Sequence, residues 1–275
     1  MISDFLRDNP ILTLLFCAHF LADFQWQSQS LADSKSHSWR GLWRHLLIVF
    51  LPLAALMILI PETTLLNLSI WGSHIVIDSI KKLSYPWVEE GHFQKAAFII
   101  DQLAHYTCII VFYHALPTYL PPNHWLLPIK HFIVIALVFI IITKPINIVF
   151  KIFFNKFQAK ELSSLLTQEK TKIMKEKSED HEETIEGAGA MIGNLERLIM
   201  AILLISGQYA AIGLVFTAKS IARYDKISKS QVFAEYYLIG SLFSIISVLI
   251  THWLLPVEFL TNPFNLEFWS PFFPR

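Results

Sequence analysis

The chain of 275 residues carries 22 Lys plus Arg against 22 Asp plus Glu, a formal net charge of zero; 54% of its residues are hydrophobic and only 16% charged. A mean hydropathy of +0.47 lies outside the balance of a water-soluble domain and points to a bilayer. Zero net charge, with no basic region interleaved with aromatics, argues against nucleic acid as a partner, and Cys17 and Cys108, set in apolar runs without a CxxC spacing, offer no disulfide framework.

The first residues, MISDFLRDNP, hold acids and a proline where a signal peptide carries basic residues, so the first apolar helix is expected to stay in the mature protein. Apolar stretches follow at about 11 to 24, 44 to 60, 64 to 80, 96 to 116, 131 to 154, 196 to 218 and 233 to 255, most of them near the roughly 20 residues needed to cross hydrocarbon. The pattern predicts an all-α polytopic transmembrane bundle of about seven spans. Five belong to an N-terminal part, 1–154, and two to a C-terminal hairpin and tail, 191–275. Between them the stretch 155–190, with EKTKIMKEKSEDHEETIE at its heart, reads as a charged cytoplasmic linker; a docking segment for a soluble partner is the sharper alternative. Lys35, Arg40 and Arg44 after the first span, and Lys81, Lys82 and Lys95 after the third, make those loops cytoplasmic and put the N-terminus outside. Alternation then makes 219–231 external despite Lys219, Arg223, Lys226 and Lys229; a break at Ser206-Gly207-Gln208 into two half-helices would return that end to the cytoplasm.

Three aspartates stand inside apolar stretches, and each has a histidine four residues away: His19 with Asp23, His74 with Asp78, Asp101 with His105. With 11 histidines in the chain, chance supplies such a neighbour about 8% of the time per aspartate. Positions i and i+4 share a helix face, so each pair presents an imidazole and a carboxylate in one direction. Depth is a second constraint. Asp23 ends the first span, Asp78 precedes Lys81-Lys82 by a turn, Asp101 follows Lys95 closely and His45 adjoins Arg44, so four helices carry these groups at one level near the cytoplasmic face. Ionised side chains at that depth face the bundle interior and pair with one another, with water or with a cation.

Imidazole and carboxylate together suit a divalent transition metal, zinc first. The candidate ligands are His19, Asp23, His45, His74, Asp78, Asp101 and His105, with Asp23, Asp78, Asp101 and Glu196 as candidate catalytic carboxylates. Gln25, Gln27 and Gln102 adjoin the ligands and are candidate orienting or substrate-binding groups. A proton-relaying His/Asp network and a purely structural polar core are the competing readings. Asp33 and His37 repeat the spacing in a polar loop, where solvation accounts for them. Glu196-Arg197 opens the sixth span, and adjacent residues cannot share a helix face; either both snorkel to the interface, or Glu196 turns inward and Arg197 binds lipid phosphate. Lys219 and Arg223 form a basic stripe suited to anionic lipid.

HFLADFQWQS, RHLLIVF, SHIVIDSIK, DQLAH and GNLERLIMAILLISGQYAAIGLVFTAKSIAR together resemble the bacterial membrane family known as domain of unknown function 3307. The resemblance implies a bacterial inner-membrane location. It singles out His19, Asp23, His45, His74, Asp78, Asp101, Gln102 and His105 in the first half, and Glu196, Arg197, Gln208, Lys219 and Arg223 in the second. It implies no activity. The leading expectation is metal-assisted hydrolysis of a membrane-resident substrate. The alternatives are an ion- or proton-coupled transporter using the same cluster, and a non-catalytic regulatory or assembly protein.

Overall fold

The computed structural model describes residues 2–90, 93–121, 124–154 and 188–255. Among these residues every regular element is helical and there is no strand. The predicted linker 155–190 lies outside them except for its last three residues. The chain forms two compact units, Met1–Ile140 and Ile141–Arg275.

In the first unit α1 (Ile2–Asp8) leads into α2 (Pro10–Phe20), whose first residue is a proline with its ring pre-set for a helix start. The helix runs on through a π turn over Leu21–Gln25, closed by the Trp26 amide donating to the Leu21 carbonyl at 2.8 Å. Two serines then punctuate the chain. Ser28 accepts from the Leu31 amide at 3.2 Å and starts α3 (Gln29–His37); Ser38 accepts from the Gly41 amide at 2.9 Å and starts α4 (Trp39–Leu59). After a 3-10 turn at Pro61–Thr63 come the long α5 (Thr64–Glu90) and α6 (Gln94–Ala115).

Contacts along the helices fix their register. Tyr113 donates to Asn9 Oδ1 at 2.7 Å, and His19 meets Gln102 at 3.2 Å; about ten residues along α2 thus match eleven on α6 running the other way. On the α5–α6 pair, Lys81 meets Asp101 and His74 meets His105, again antiparallel. The Trp71 indole N–H donates to the Leu46 carbonyl at 3.0 Å and joins α5 to α4. Between these helices sit Leu12, Leu15, Leu42, Leu46, Leu66 and Ile109, all fully buried.

The helix α7 (Lys130–Ile142) breaks at Thr143 and resumes over 144–154 as α8. In the second unit α9 (Ala188–Ile205), α10 (Tyr209–Ala222), α11 (Tyr224–Lys229) and α12 (Gln231–Leu254) follow. The break predicted at Ser206-Gly207-Gln208 separates α9 from α10, and Gly207 occupies the left-handed region with φ +70°. Among the described residues four helical segments, Trp39–Leu59, Gln94–Ala115, Lys130–Phe154 and Gln231–Leu254, are long and apolar enough to cross a membrane; Pro10–Gln25 and Tyr209–Ala222 are shorter apolar helices. The outward face of α4 displays Leu47, Leu51 and Ile58, while its inward face buries Leu42, Leu46 and Leu53. A helix apolar on both faces is suited to hydrocarbon outside and protein inside.

Candidate metal centre

α2 with its π turn, α4, α5 and α6 converge on one buried polar cluster. His19 and Asp23 come from the first, His45 from α4, His74 and Asp78 from α5, and Asp101, Gln102 and His105 from α6, each at most 8% exposed. The three imidazoles of His19, His74 and His105 form its centre, with ring centroids 5.4 Å (His19–His74), 5.3 Å (His19–His105) and 4.1 Å (His74–His105) apart. Two sets of donor atoms lie close enough to share one ion: His19, Asp23 and His74, and His74, Asp78 and His105, with the atoms of each set within 4.8 Å of one another. His74 belongs to both. The i, i+4 spacing on α5 and α6 operates as a regular helix dictates, whereas between His19 and Asp23 the π turn intervenes and re-aims the carboxylate. Such turns recur at functional sites.

The hydrogen bonds select which lone pairs point inward. His105 Nδ1 donates to the Asp101 carbonyl at 2.8 Å, which leaves Nε2 as the acceptor nitrogen. His19 Nε2 donates to Gln102 Oε1 at 3.2 Å, and the Tyr106 hydroxyl donates to the same oxygen at 3.3 Å, leaving His19 Nδ1 as acceptor. The Gln102 amide in turn donates to Asp101 Oδ2 at 3.2 Å. His19 Nδ1, His74 Nδ1, His105 Nε2, Asp23 Oδ1, Asp78 Oδ2 and Asp101 Oδ1 are all buried without a hydrogen-bond partner. One such group costs about 1–3 kcal/mol and a charged one more. Five of them belong to residues of the two ligand sets, and the mix of imidazole and carboxylate there would suit zinc, iron or manganese.

His45 has a different position. Its Nε2 lies 3.2 Å from Asp78 Oδ2 and 3.5 Å from Asp23 Oδ1. Both pairs are in ion-pair range. His45 thus touches a carboxylate of each candidate set and belongs to neither.

Two lysines complete the cluster, and sequence reasoning used neither as a site residue. Lys35, from α3, is 7% exposed; its Nζ lies 3.3 Å from Asp78 Oδ1 and 3.3 Å from His45 Nε2. Burial alone would lower its pKa, but Asp78, with Asp23 and Asp101 behind it, outweighs that effect and raises the pKa above the ordinary lysine value. Lys35 is therefore a fixed cation. Lys81, from α5, donates to Asp101 Oδ2 at 2.6 Å with its side chain 31% exposed. The signal for Lys35 was its place between Asp33 and His37: these two are exposed on α3, and a residue two positions from each projects from the opposite side of the helix. Gly41 lets α3 approach α4 this closely, since a Cβ there would overlap the Ser34 carbonyl. Gln25 donates to the Ile140 carbonyl at 3.1 Å and so positions α7, while Gln27 is half-buried just past the π turn.

Of the remaining candidates, Glu196, Arg197 and Lys219 have partners of their own in the second unit. Arg197 is buried and donates through Nε to the Ile142 carbonyl, through Nη2 to the Thr143 carbonyl at 3.4 Å and to Asn194 Oδ1 at 2.8 Å, and through Nη1 to Ser244 Oγ at 3.4 Å. It satisfies the carbonyls at the break after α7. Its neighbour faces elsewhere: Glu196 takes Lys219 Nζ at 2.6 Å, and Lys219 also reaches Ser241 Oγ at 3.2 Å. Gln208 is exposed at the start of α10, and Arg223 is half-buried at its end.

No curated protein and no solved structure matches the chain. The C-terminal run from Gly193 onward, part of the sequence resemblance, lies outside the family match that was found. The stretch that does match, residues 11–133, contains every side chain of the His/Asp/Lys cluster, and it is similar to the family described as Protein of unknown function (DUF3307).

Proposed function

We propose that this is a multi-pass protein of a bacterial inner membrane whose first unit holds a divalent cation, zinc by preference, and uses it to hydrolyse a membrane-resident substrate near the cytoplasmic face. The observation that carries the reading is the pair of buried ligand sets that share His74, with the atoms of each set within 4.8 Å of one another and an atom of each of their five side chains buried without a hydrogen-bond partner. The four long apolar segments, together with α2, α5 and the broken α9–α10 pair, support a count of about seven spans with the N-terminus outside. The lysines near the cluster support its cytoplasmic side. Membrane lipids are the surrounding partners, and the linker 155–190 is the place for a soluble one.

In this reading His19, His74 and His105 with Asp23 or Asp78 hold the cation. When bound, it supplies Lewis acidity and a water acidified to near neutrality. Asp101 is the carboxylate placed to take a proton: Lys81 and Gln102 hold Oδ2, while Oδ1 is unpaired. His45 orients Asp23 and Asp78 as an outer partner. Glu196, occupied by Lys219, takes no step.

The test separates hydrolase from carrier. Full-length zinc-loaded protein is incorporated into vesicles of phosphatidylethanolamine and phosphatidylglycerol with an entrapped zinc indicator, and the lipids are then analysed by mass spectrometry. Hydrolysed lipid product from the wild type, absent from an Asp101→Asn variant that retains zinc, is the expected result. No product, together with zinc flux into the vesicles, contradicts the hydrolase reading in favour of the carrier.

A further inference from the structure

Charge, geometry and donor count at the cluster identify what the cation would bind beside it; this step rests on the metal reading above. Three buried carboxylates, Asp23, Asp78 and Asp101, face two ammonium groups, Lys35 and Lys81. These five groups alone carry a net charge of −1. A negative, buried centre repels anions. A divalent cation turns the same centre to +1, and a buried net positive charge needs an anion beside it.

The donors for that anion are already in place. An ammonium offers three N–H donors. Lys81 donates one to Asp101 Oδ2, and its side chain is 31% exposed, so it connects the buried cluster to the outside. Lys35 lies against Asp78 Oδ1, an oxygen of a carboxylate in a candidate ligand set. When Asp78 turns its charge to a metal, the hold on Lys35 weakens and its N–H groups become available. Next to Lys81 on α5, Lys82 donates to the Ser36 carbonyl at 3.5 Å and lies over the Trp39 ring at 5.3 Å. Trp39 and Trp87 are themselves exposed, as indoles at a membrane interface are.

We propose that Lys35 and Lys81 form, with the bound cation, a binding site for a phosphate oxyanion that is competent only once the metal is present. Several oxygens on one tetrahedral anion allow contact with the metal and with both ammonium groups at once, which a single carboxylate or hydroxide cannot provide. The phosphate is either a lipid headgroup at the interface or a soluble phosphate, and the chemistry is the same for both.

Full-length protein in nanodiscs is titrated with inorganic phosphate by calorimetry, with zinc content measured on the same samples. The zinc-loaded wild type binds phosphate, and the Lys35→Met/Lys81→Met variant keeps its zinc and binds phosphate at least about tenfold more weakly. Phosphatidic acid in the nanodisc competes with inorganic phosphate if the headgroup is the ligand; lack of competition assigns the site to soluble phosphate. Equal phosphate affinity in wild type and double variant, both holding zinc, overturns this proposal alone. Should the double variant not fold, the metal-free wild type decides: phosphate binding as tight as in the zinc-loaded form overturns the ordered site. A wild type that retains no zinc overturns the metal reading, and this site with it.

Discussion

At the level of single residues, the cluster combines groups that should respond differently to substitution. Asp78 is the counter-charge to a lysine that is almost wholly buried. Asp78→Asn leaves that ammonium uncompensated and is expected to cost about 3–5 kcal/mol, read as a lowered midpoint of thermal unfolding in metal-free protein. Lys35→Met is the converse. It leaves Asp78 unpaired in the metal-free state, so zinc should raise the unfolding temperature of this variant by more than it raises that of the wild type. An equal rise in both would show that Lys35 and the metal do not share Asp78. His45→Gln should weaken zinc retention by about 10–100-fold without abolishing it, as the loss of a partner that orients a ligand does.

At the level of elements, what was legible in the sequence and what was not divide along the regularity of the helix. His74/Asp78 and Asp101/His105 lie on uninterrupted helices, and their spacing alone placed each pair on one face. Charge and apolar patterning placed His45 at the same level. The π turn at Leu21–Gln25 carries no such signal, because LADFQ is compatible with an ordinary α-helix and only its packing selects the wider turn. Lys35 was hidden for another reason: a short polar segment between spans reads as solvated, and its flanking Asp33 and His37 are indeed exposed. The burial of Lys35 depends on Gly41 and Ser34, small residues whose meaning appears only when α3 and α4 are seen side by side. Gly41→Ala should push α3 away from α4, cost about 1–3 kcal/mol and diminish the zinc-dependent binding of phosphate. Arg197 belongs to a different part of the fold. Its adjacency to Glu196 correctly implied opposite faces, but the break after α7 that supplies its acceptors was not visible in an unbroken apolar run. Arg197→Met leaves the Ile142 and Thr143 carbonyls unsatisfied and should destabilise the protein by about 3 kcal/mol, with zinc content unaltered.

For the molecule as a whole, the lysines near the cluster carry the proposal that this end faces the cytoplasm. If α3 and the end of α5 that bears Lys82 are cytoplasmic, a Lys82→Cys variant on a background with Cys17 and Cys108 replaced by serine reacts with a membrane-impermeant maleimide in inside-out vesicles and not in right-side-out ones. The opposite labelling would reverse the topology. The central proposal, however, is that the buried, donor-rich His/Asp cluster holds a divalent cation. Metal content by mass spectrometry of the purified full-length chain, compared with a His19→Ala/His74→Ala variant, tests it most directly. The wild-type chain should carry about one divalent ion and the variant none. The same metal content in both proteins, or none in either, with unchanged thermal stability, would contradict it.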